Sequence, residues 1–293
     1  MRKFFALPTG DKMQASWNKS PACRGYEPFS ESSQAAKKFD ASLRESFCIG
    51  DDFLDPEQHF QGQVPKGTQA QNVWPGSFPE LRKALYAYYN AVEPFGRALL
   101  RILALALDLD ETAFDDSYKF PIFGMRALHY PPQSPEEENL GLGAHTDASS
   151  FTLVCQEPGS GPALEVLNLN GHWISAPPIP GATFTCNTGD FLEQITNGKF
   201  VSTVHRVSNK TGERRYSLPY FLAPSPDTNI APLPALVGAE GAKFPTMNVG
   251  EHYVRRILTS REFHPSAVFL REKKIPKEEW KYSWMQGQLP MAV

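Results

Sequence analysis

The residues with the clearest chemistry are His145 and Asp147 in the run Gly143-Ala144-His145-Thr146-Asp147, together with His205, Arg215 and Ser217. Alternate side chains on a strand share a face, so His145 and Asp147 point one way and Thr146 the other. One imidazole beside one carboxylate makes two corners of a metal site, and His205 would supply the third. Two His and one carboxylate on one side of a metal leave the opposite positions open, the donor set of a non-heme Fe(II) oxygenase. The triplet alone is weak, because seven His and 32 acidic residues can produce it by accident. The plain alternative is a strand end where His145 and Asp147 only hydrogen-bond.

Arg215 lies ten residues after His205, with a turn near Lys210 between them. Arg215, Ser217, Pro219 and Phe221 fall on one strand face and Arg214 on the other. If the two strands lie in facing sheets about 10 Å apart, a five-carbon diacid held by the metal could span the gap. Arg215 would grip its far carboxylate and Ser217 would add a donor. An inward Arg without a partner is costly to bury, which calls for an anion. A surface Arg215 paired with Glu213 is the alternative.

These side chains need a β scaffold. From Phe123 the hydrophobic period becomes two, and eight strand candidates follow at 124–130, 140–147, 150–156, 163–168, 172–176, 182–187, 200–208 and 214–222. Turn residues such as Pro131-Pro132, Asn170-Gly171 and Thr196-Asn-Gly separate them. Eight short strands predict a jelly roll of the cupin type, mainly β with flanking helices. In that topology the second and seventh strands are neighbours, so His145, Asp147 and His205 can converge.

Upstream, residues 1–30 show little periodicity, Ser32 to Leu43 carries weak helical signal, and Arg44–Gly50 reads as a short strand. Residues 51–76 read as a loop. Ser77 is a candidate cap for a helix in which Leu81, Leu85, Tyr88, Val92 and Phe95 form the apolar face. Pro94 predicts a kink or break, after which the very apolar Gly96–Leu107 stretch reads as buried on most sides. Downstream, 223–247 is Pro-rich loop, Asn248 caps a helix to about Thr259, and the tail to Val293 is polar with scattered aromatics. The organisation is one domain over 1–293: a mixed support region at 1–122, the β core at 123–223 and a loop and helix at 224–293.

The chain has 293 residues, 26 of them Pro, and a formal charge of −3. No half is strongly basic, so nothing points to nucleic acid, a membrane surface or a protein partner. Cys23, Cys48, Cys155 and Cys186 form no Cys-x-x-Cys pair and read as reduced, mostly buried thiols. The apolar run after Met1 stops at Pro8, too short for a signal peptide, and no run is long enough to span a bilayer. A cytoplasmic, soluble protein is the expectation. His59, His129, His172, His252 and His264 lack a carboxylate at the metal spacing and read as structural.

With these residues in hand, the run from about Gly124 to Ala223 resembles the Fe(II)/2-oxoglutarate-dependent dioxygenases of the isopenicillin N synthase-like branch. The matches are His145-x-Asp147, His205, Arg215-x-Ser217, Tyr130-Pro-Pro, Leu164-Glu-Val, Gly171-His-Trp-Ile, Asn187-Thr-Gly-Asp and Thr196-Asn-Gly. The resemblance implies a double-stranded β-helix, with Fe(II) on His145, Asp147 and His205. It implies 2-oxoglutarate on Arg215, Ser217 and the phenol of Tyr130, with O₂ as oxidant. The expected reaction couples decarboxylation of 2-oxoglutarate, to succinate and CO₂, to oxidation of a small organic molecule. Hydroxylation, desaturation, demethylation and rearrangement are the outcomes the branch offers, with a place in specialised metabolism. Phe221, on the Arg215 face, is a candidate pocket wall; Phe151 and Met125 are weaker candidates. Leu128 stands where many plant-type relatives carry Asn, so one polar contact to 2-oxoglutarate is missing or replaced. Relatives usually begin with a further strand-helix-strand segment, and this chain begins after the corresponding point. Two other readings remain: an oxidase with the same iron site that does not use 2-oxoglutarate, and a non-catalytic truncated paralogue that binds a small ligand.

Overall fold

The computed structural model describes residues 1–29, 43–50, 71–136, 141–181 and 183–286. All but the last residue of the expected helix at 32–43, most of the expected 51–76 loop and His59 lie outside these residues. Two antiparallel sheets face each other. The major sheet contains β1 (Gly25–Glu27), β2 (Glu45–Gly50), β3 (Ile122–Tyr130), β5 (Phe151–Gln156), β8 (Thr185–Thr188) and β10 (Arg215–Ala223). The minor sheet contains β4 (Leu142–His145), β6 (Leu164–Leu167), β7 (Trp173–Ser175) and β9 (His205–Val207). Their orders are β1-β2-β3-β10-β5-β8 and β4-β9-β6-β7. All eight strand candidates form, four to each sheet, as a jelly roll requires. β1 and β2 extend the major sheet beyond that framework.

β3 and β10 are central, so both edges of each are paired with a neighbouring strand. Leu81, Leu85, Tyr89, Val92, Gly96, Leu100 and Ala104 make the buried face of a helix, α3 (Glu80–Ala106). It follows two short N-terminal helices, α1 (Arg2–Phe5) and α2 (Thr9–Met13), that the sequence pattern did not announce. α3 lies behind the major sheet, with Tyr89 edge-on to Tyr220 at 5.6 Å and to Phe123 at 6.0 Å. Gly96 allows close approach: a Cβ there would sit 3.7 Å from both Leu222 and Tyr220.

Three sequence expectations about this helix are corrected. Of the kink or break expected at Pro94, the break does not occur: the helix runs through, because Pro94 is exposed and water can take the carbonyl its missing N–H leaves open. Tyr89 and Gly96, rather than Tyr88 and Phe95, belong to the buried face. The Gly96–Leu107 half is not enclosed: Ile102 is 60% exposed and Leu105 57%, since the helix has a sheet on one side only.

After β10, a two-stranded ribbon of β11 (Asn229–Ile230) and β12 (Met247–Asn248) precedes α5 (Val249–Thr259). The Asn248 side chain caps α5 by accepting from the Glu251 N–H. The tail packs more than its polarity suggests. α6 (Pro265–Glu272) follows, and Trp280, Trp284 and Met285 join Trp17, Cys23, Val254, Leu258 and Leu270 in a second apolar cluster. His264 caps α6 by accepting from the Ser266 N–H, and its Nε2 faces the Trp17 and Ser20 carbonyls. Burial and this bonding pattern favour the neutral ring, so His264 is structural. All four cysteines are free, but only Cys23 is buried; Cys186, on the edge strand β8, is exposed. Among the described residues no helix is long and apolar enough to cross a membrane.

Candidate active site

β4 and β9 pair so that His145 lies directly opposite His205. The two rings are 4.3 Å apart between centroids. Asp147 follows the end of β4, and its two carboxylate oxygens lie 3.7 Å from His145 Nε2 and 3.7 Å from His205 Nε2. One ligand atom from each of the three falls within 4.8 Å of the others.

The hydrogen-bond pattern fits metal ligation. His145 Nδ1 faces the Gly143 carbonyl and His205 Nδ1 the Thr203 carbonyl, each at 2.9 Å. A carbonyl can only accept, so both Nδ1 atoms carry the proton and donate, leaving both Nε2 lone pairs aimed at one point. Burial, and then the facing His205 ring, lower the pKa of His145, which keeps that lone pair free. Asp147 Oδ2 accepts from Thr152 Oγ1 at 2.7 Å and Asn187 Nδ2 at 2.8 Å. These bonds fix the carboxylate in place. The set can hold a divalent metal through two nitrogens and one oxygen.

The loop carrying Asp147 is held from two sides. α4 (Asp190–Ile195) receives it through Asp190 N–H to the Asp147 carbonyl and Phe191 N–H to the Ser149 carbonyl. Gly189 must lack a side chain here, because a Cβ would lie 2.4 Å from the Ser149 carbonyl oxygen and 2.7 Å from that of Asp147. From α5, Arg256 Nη2 donates to both the carbonyl and Oγ1 of Thr146, each at 2.8 Å.

Arg215 is on β10 in the opposite sheet, only 2% exposed. The alternative of a surface pair with Glu213 therefore fails. Its Nη1 donates to Ser217 Oγ at 3.3 Å and its Nη2 to Gln156 Oε1 at 3.0 Å, and its guanidinium lies 5.1 Å from the Tyr130 ring centroid. Arg215 Nε is buried with no hydrogen-bond partner among the described residues. Burial lowers the pKa of Arg215, a desolvation cost that a bound anion would offset.

Gln156 is a residue the sequence pattern did not single out. It lies across from Ser217 in the β5–β10 pairing, and its Nε2 donates to the Ala176 carbonyl and Thr185 Oγ1. Its oxygen is thereby turned towards Arg215. Gly141 is another: a Cβ there would lie 2.8 Å from the Tyr130 ring. Neither residue has a local signal; each depends on which strand lies opposite.

A cavity of about 910 Å³ joins these groups. Its walls include His145, Asp147, His205, Arg215, Ser217 and Tyr130. Leu128 lines it as well, as does Phe221. Phe151 and Met125 do not, and that expectation is corrected. Gly124, Arg126, Leu128 and Tyr130 line the cavity at alternate positions of β3, so Met125, between two of them, points to the other side of the sheet. Phe151 is likewise turned from the cavity, while its neighbour Thr152 faces it, and both apolar side chains sit in the main core. His252, read as structural, stands on the cavity wall with its Nε2 3.2 Å from Asp190 Oδ2.

Known proteins resemble this chain in sequence and fold. The family model of the 2OG-Fe(II) oxygenase superfamily matches residues 122–224. A 2-oxoglutarate-Fe(II) type oxidoreductase, hxnY, of Emericella nidulans is 35% identical over 257 residues, covering 85% of this chain and 72% of that protein. Homoarginine-6-hydroxylase 2-ODD-C23 of Glycine max is 32% identical over 268 residues, covering 88% and 78%. Among solved structures, a 2OG-Fe(II) oxygenase family protein from Caulobacter crescentus superposes with a TM-score of 0.74 at 33% identity, covering 88% of this chain and 83% of its own. A full-length Neurospora crassa protein in complex with alpha-KG and thymine does so with a TM-score of 0.74 at 26% identity, covering 88% and 81%.

Proposed function

This chain belongs to the 2OG-Fe(II) oxygenase superfamily, and from that premise we propose that His145, Asp147 and His205 hold its Fe(II) while Arg215, Ser217 and Tyr130 hold its 2-oxoglutarate. The enzyme is a 2-oxoglutarate-dependent dioxygenase that oxidises a small molecule. The observation that carries the residue assignment is the pair of Nε2 lone pairs converging on the Asp147 carboxylate, with a buried, anion-deficient Arg215 across the barrel.

An Fe(II) held by His145, Asp147 and His205 would supply the redox chemistry that couples decarboxylation of 2-oxoglutarate to oxidation of the substrate. The chain's own residues position and insulate. Arg215 offers a planar fork to the distal carboxylate, with Ser217 Oγ and the Tyr130 phenol as further donors. Gln156 keeps the fork from swinging away. Thr152 and Asn187 hold Asp147 so that it meets the metal without first having to reorder. Leu128, at the level of Ser217 on β3, contributes an apolar wall where a polar contact was open to question.

In the same reading residues 1–293 make one domain, with 123–223 as the catalytic core, 1–122 as support and 224–293 as a closing segment. The substrate occupies the cavity between the metal and α5. Relatives named as hydroxylases favour hydroxylation of a C–H bond as the outcome.

The test is anaerobic addition of Fe(II) and 2-oxoglutarate to the purified chain. A visible charge-transfer band is expected for wild type and is lost in His145→Ala and Asp147→Ala. A full band in either variant would show that these side chains do not hold the iron.

A further inference from the structure

α5 meets the metal side of the molecule through one polar face. His252 and Arg256 are four residues apart, so they share that face, and both line the cavity. The other side of the helix is apolar: Val254 and Leu258 are buried in the second cluster with Trp280 and Trp284. Its first turn is tied by the Val249 and Gly250 N–H groups to the Thr228 and Pro226 carbonyls. The contacts of its polar face converge on one carboxylate.

Asp190, the first residue of α4, stands behind the cavity wall. Its Oδ2 accepts from His252 Nε2 at 3.2 Å, and Arg256 Nε lies 3.4 Å from the same oxygen. The His252 ring is also held edge-on to Phe191, 5.4 Å between centroids. Asp190 Oδ1 accepts from Ser202 Oγ at 2.8 Å. Ser202 is three residues before His205, and its neighbour Thr203 supplies the carbonyl to which His205 Nδ1 donates. The Asp190 N–H donates to the carbonyl of Asp147 at 2.9 Å.

One residue thus joins three segments: the loop that carries Asp147, the approach to His205 and the helix that covers the cavity. Each arm uses a different atom, the backbone N–H, Oδ1 and Oδ2 in turn. None duplicates Arg256 on Thr146, the direct contact between α5 and the metal loop. Hydrogen-bond networks of this kind carry coupling, because a shift in one arm changes the geometry offered to the others.

We propose that Asp190 is a positioning residue that couples occupancy of the metal site to the seating of α5 over the cavity. This rests on the iron assignment above and adds a link from it to the substrate-facing wall. A metal fastened to Asp147 and His205 fixes two of the three arms. The Asp190 carboxylate is then held where His252 and Arg256 can both meet it. The wall of the cavity is set in this way before substrate arrives. The coupling is reciprocal, so a seated α5 also favours metal binding.

Hydrogen exchange of the α5 amides, read by mass spectrometry, tests this without turnover. The full chain is compared without O₂, in the presence and absence of Fe(II) and 2-oxoglutarate, at concentrations that saturate the charge-transfer band of each variant. Loading should slow exchange across Val249–Thr259 about tenfold more than across α3, an ordinary coupling between two sites. Asp190→Asn keeps the shape but offers one acceptor oxygen in place of two. In it the excess slowing should fall to about twofold, with the band still formed at saturation. Ser202→Ala breaks only the arm to β9 and should lower the excess to about half or less; it stands in if the Asn variant does not fold. A purely structural Asp190 would loosen α5 equally in the loaded and unloaded protein, and an unchanged excess in these variants overturns the proposal. So does a wild-type α5 that slows no more than α3 while the band is present. Absence of the band in wild type would count against the iron and 2-oxoglutarate reading instead, so the two failures are distinguishable.

Discussion

Arg215 is buried where only an anion can justify it, and its surroundings leave it no freedom to seek one. Gln156 and Ser217 hold its two terminal nitrogens, and its Nε has no partner among the described residues. Arg215→Ala should therefore raise the 2-oxoglutarate concentration that half-saturates the charge-transfer band by about ten- to a hundredfold, the scale of losing a charged hydrogen-bond partner. Fe(II) affinity measured without 2-oxoglutarate should stay the same. At this scale the sequence is most readable where chemistry sits within one strand. His145 and Asp147 are two apart, and so are Arg215 and Ser217, so alternation alone puts each pair on a face. It is least readable where partners come from other strands. Nothing around Gln156, Gly141 or Gly189 shows which side chain or carbonyl each will meet. Met125 and Phe151, named only as weaker candidates, each lie one residue from a cavity-lining position, and one residue on a strand moves a side chain through the sheet.

The elements matter because each fixes one wall of the site. β4 and β9 bring His145 opposite His205, α3 stiffens the back of β3 and β10, and α5 closes the cavity while holding the metal loop. The last link is narrow. It consists of Arg256 Nη2 on Thr146, with Arg256 Nε 3.4 Å from Asp190 Oδ2. Arg256→Ala should lower Fe(II) affinity by roughly tenfold, the lower end of the effect of removing a group that orients a ligand. A competitive chelator titration measures it, with the folded state checked by circular dichroism. The eight core strands were legible because turn residues punctuate a period of two. The passage of α3 through Pro94 was not, because whether a lost N–H costs anything depends on which side of the helix faces water. The packed C-terminal tail was hidden for a similar reason: Trp280, Trp284 and Met285 are scattered in sequence and adjacent only once α5 and α6 are in place.

Across the whole molecule, charge is unevenly placed. The chain is mildly acidic, yet among the described residues lining its cavity the arginines outnumber the acids. One acid holds part of that charge in the fold. Burial alone would raise the pKa of Glu27, but the Arg44 and Arg126 guanidiniums and the Ser46 hydroxyl overcome it and bring it down from 4.5 to about 2. A carboxyl depressed in the folded state stabilises the fold above its unfolded value. That contribution is lost as pH falls from about 4.5 towards 2. Urea unfolding midpoints should accordingly fall more steeply between pH 5 and 3 for wild type than for Glu27→Gln, while at pH 7 the variant is the less stable of the two. Equal slopes would mean that Glu27 is not held by its arginines. The central claim is that three side chains from one sheet meet a ferrous ion while one from the facing sheet takes the far end of 2-oxoglutarate. A crystal of the anaerobic ternary complex, with the iron located by anomalous scattering, tests it directly. The account predicts one iron peak about 2.0–2.2 Å from His145 Nε2, His205 Nε2 and an Asp147 oxygen, with the distal carboxylate of 2-oxoglutarate on Arg215. An iron peak elsewhere, or a 2-oxoglutarate turned away from Arg215, would contradict it.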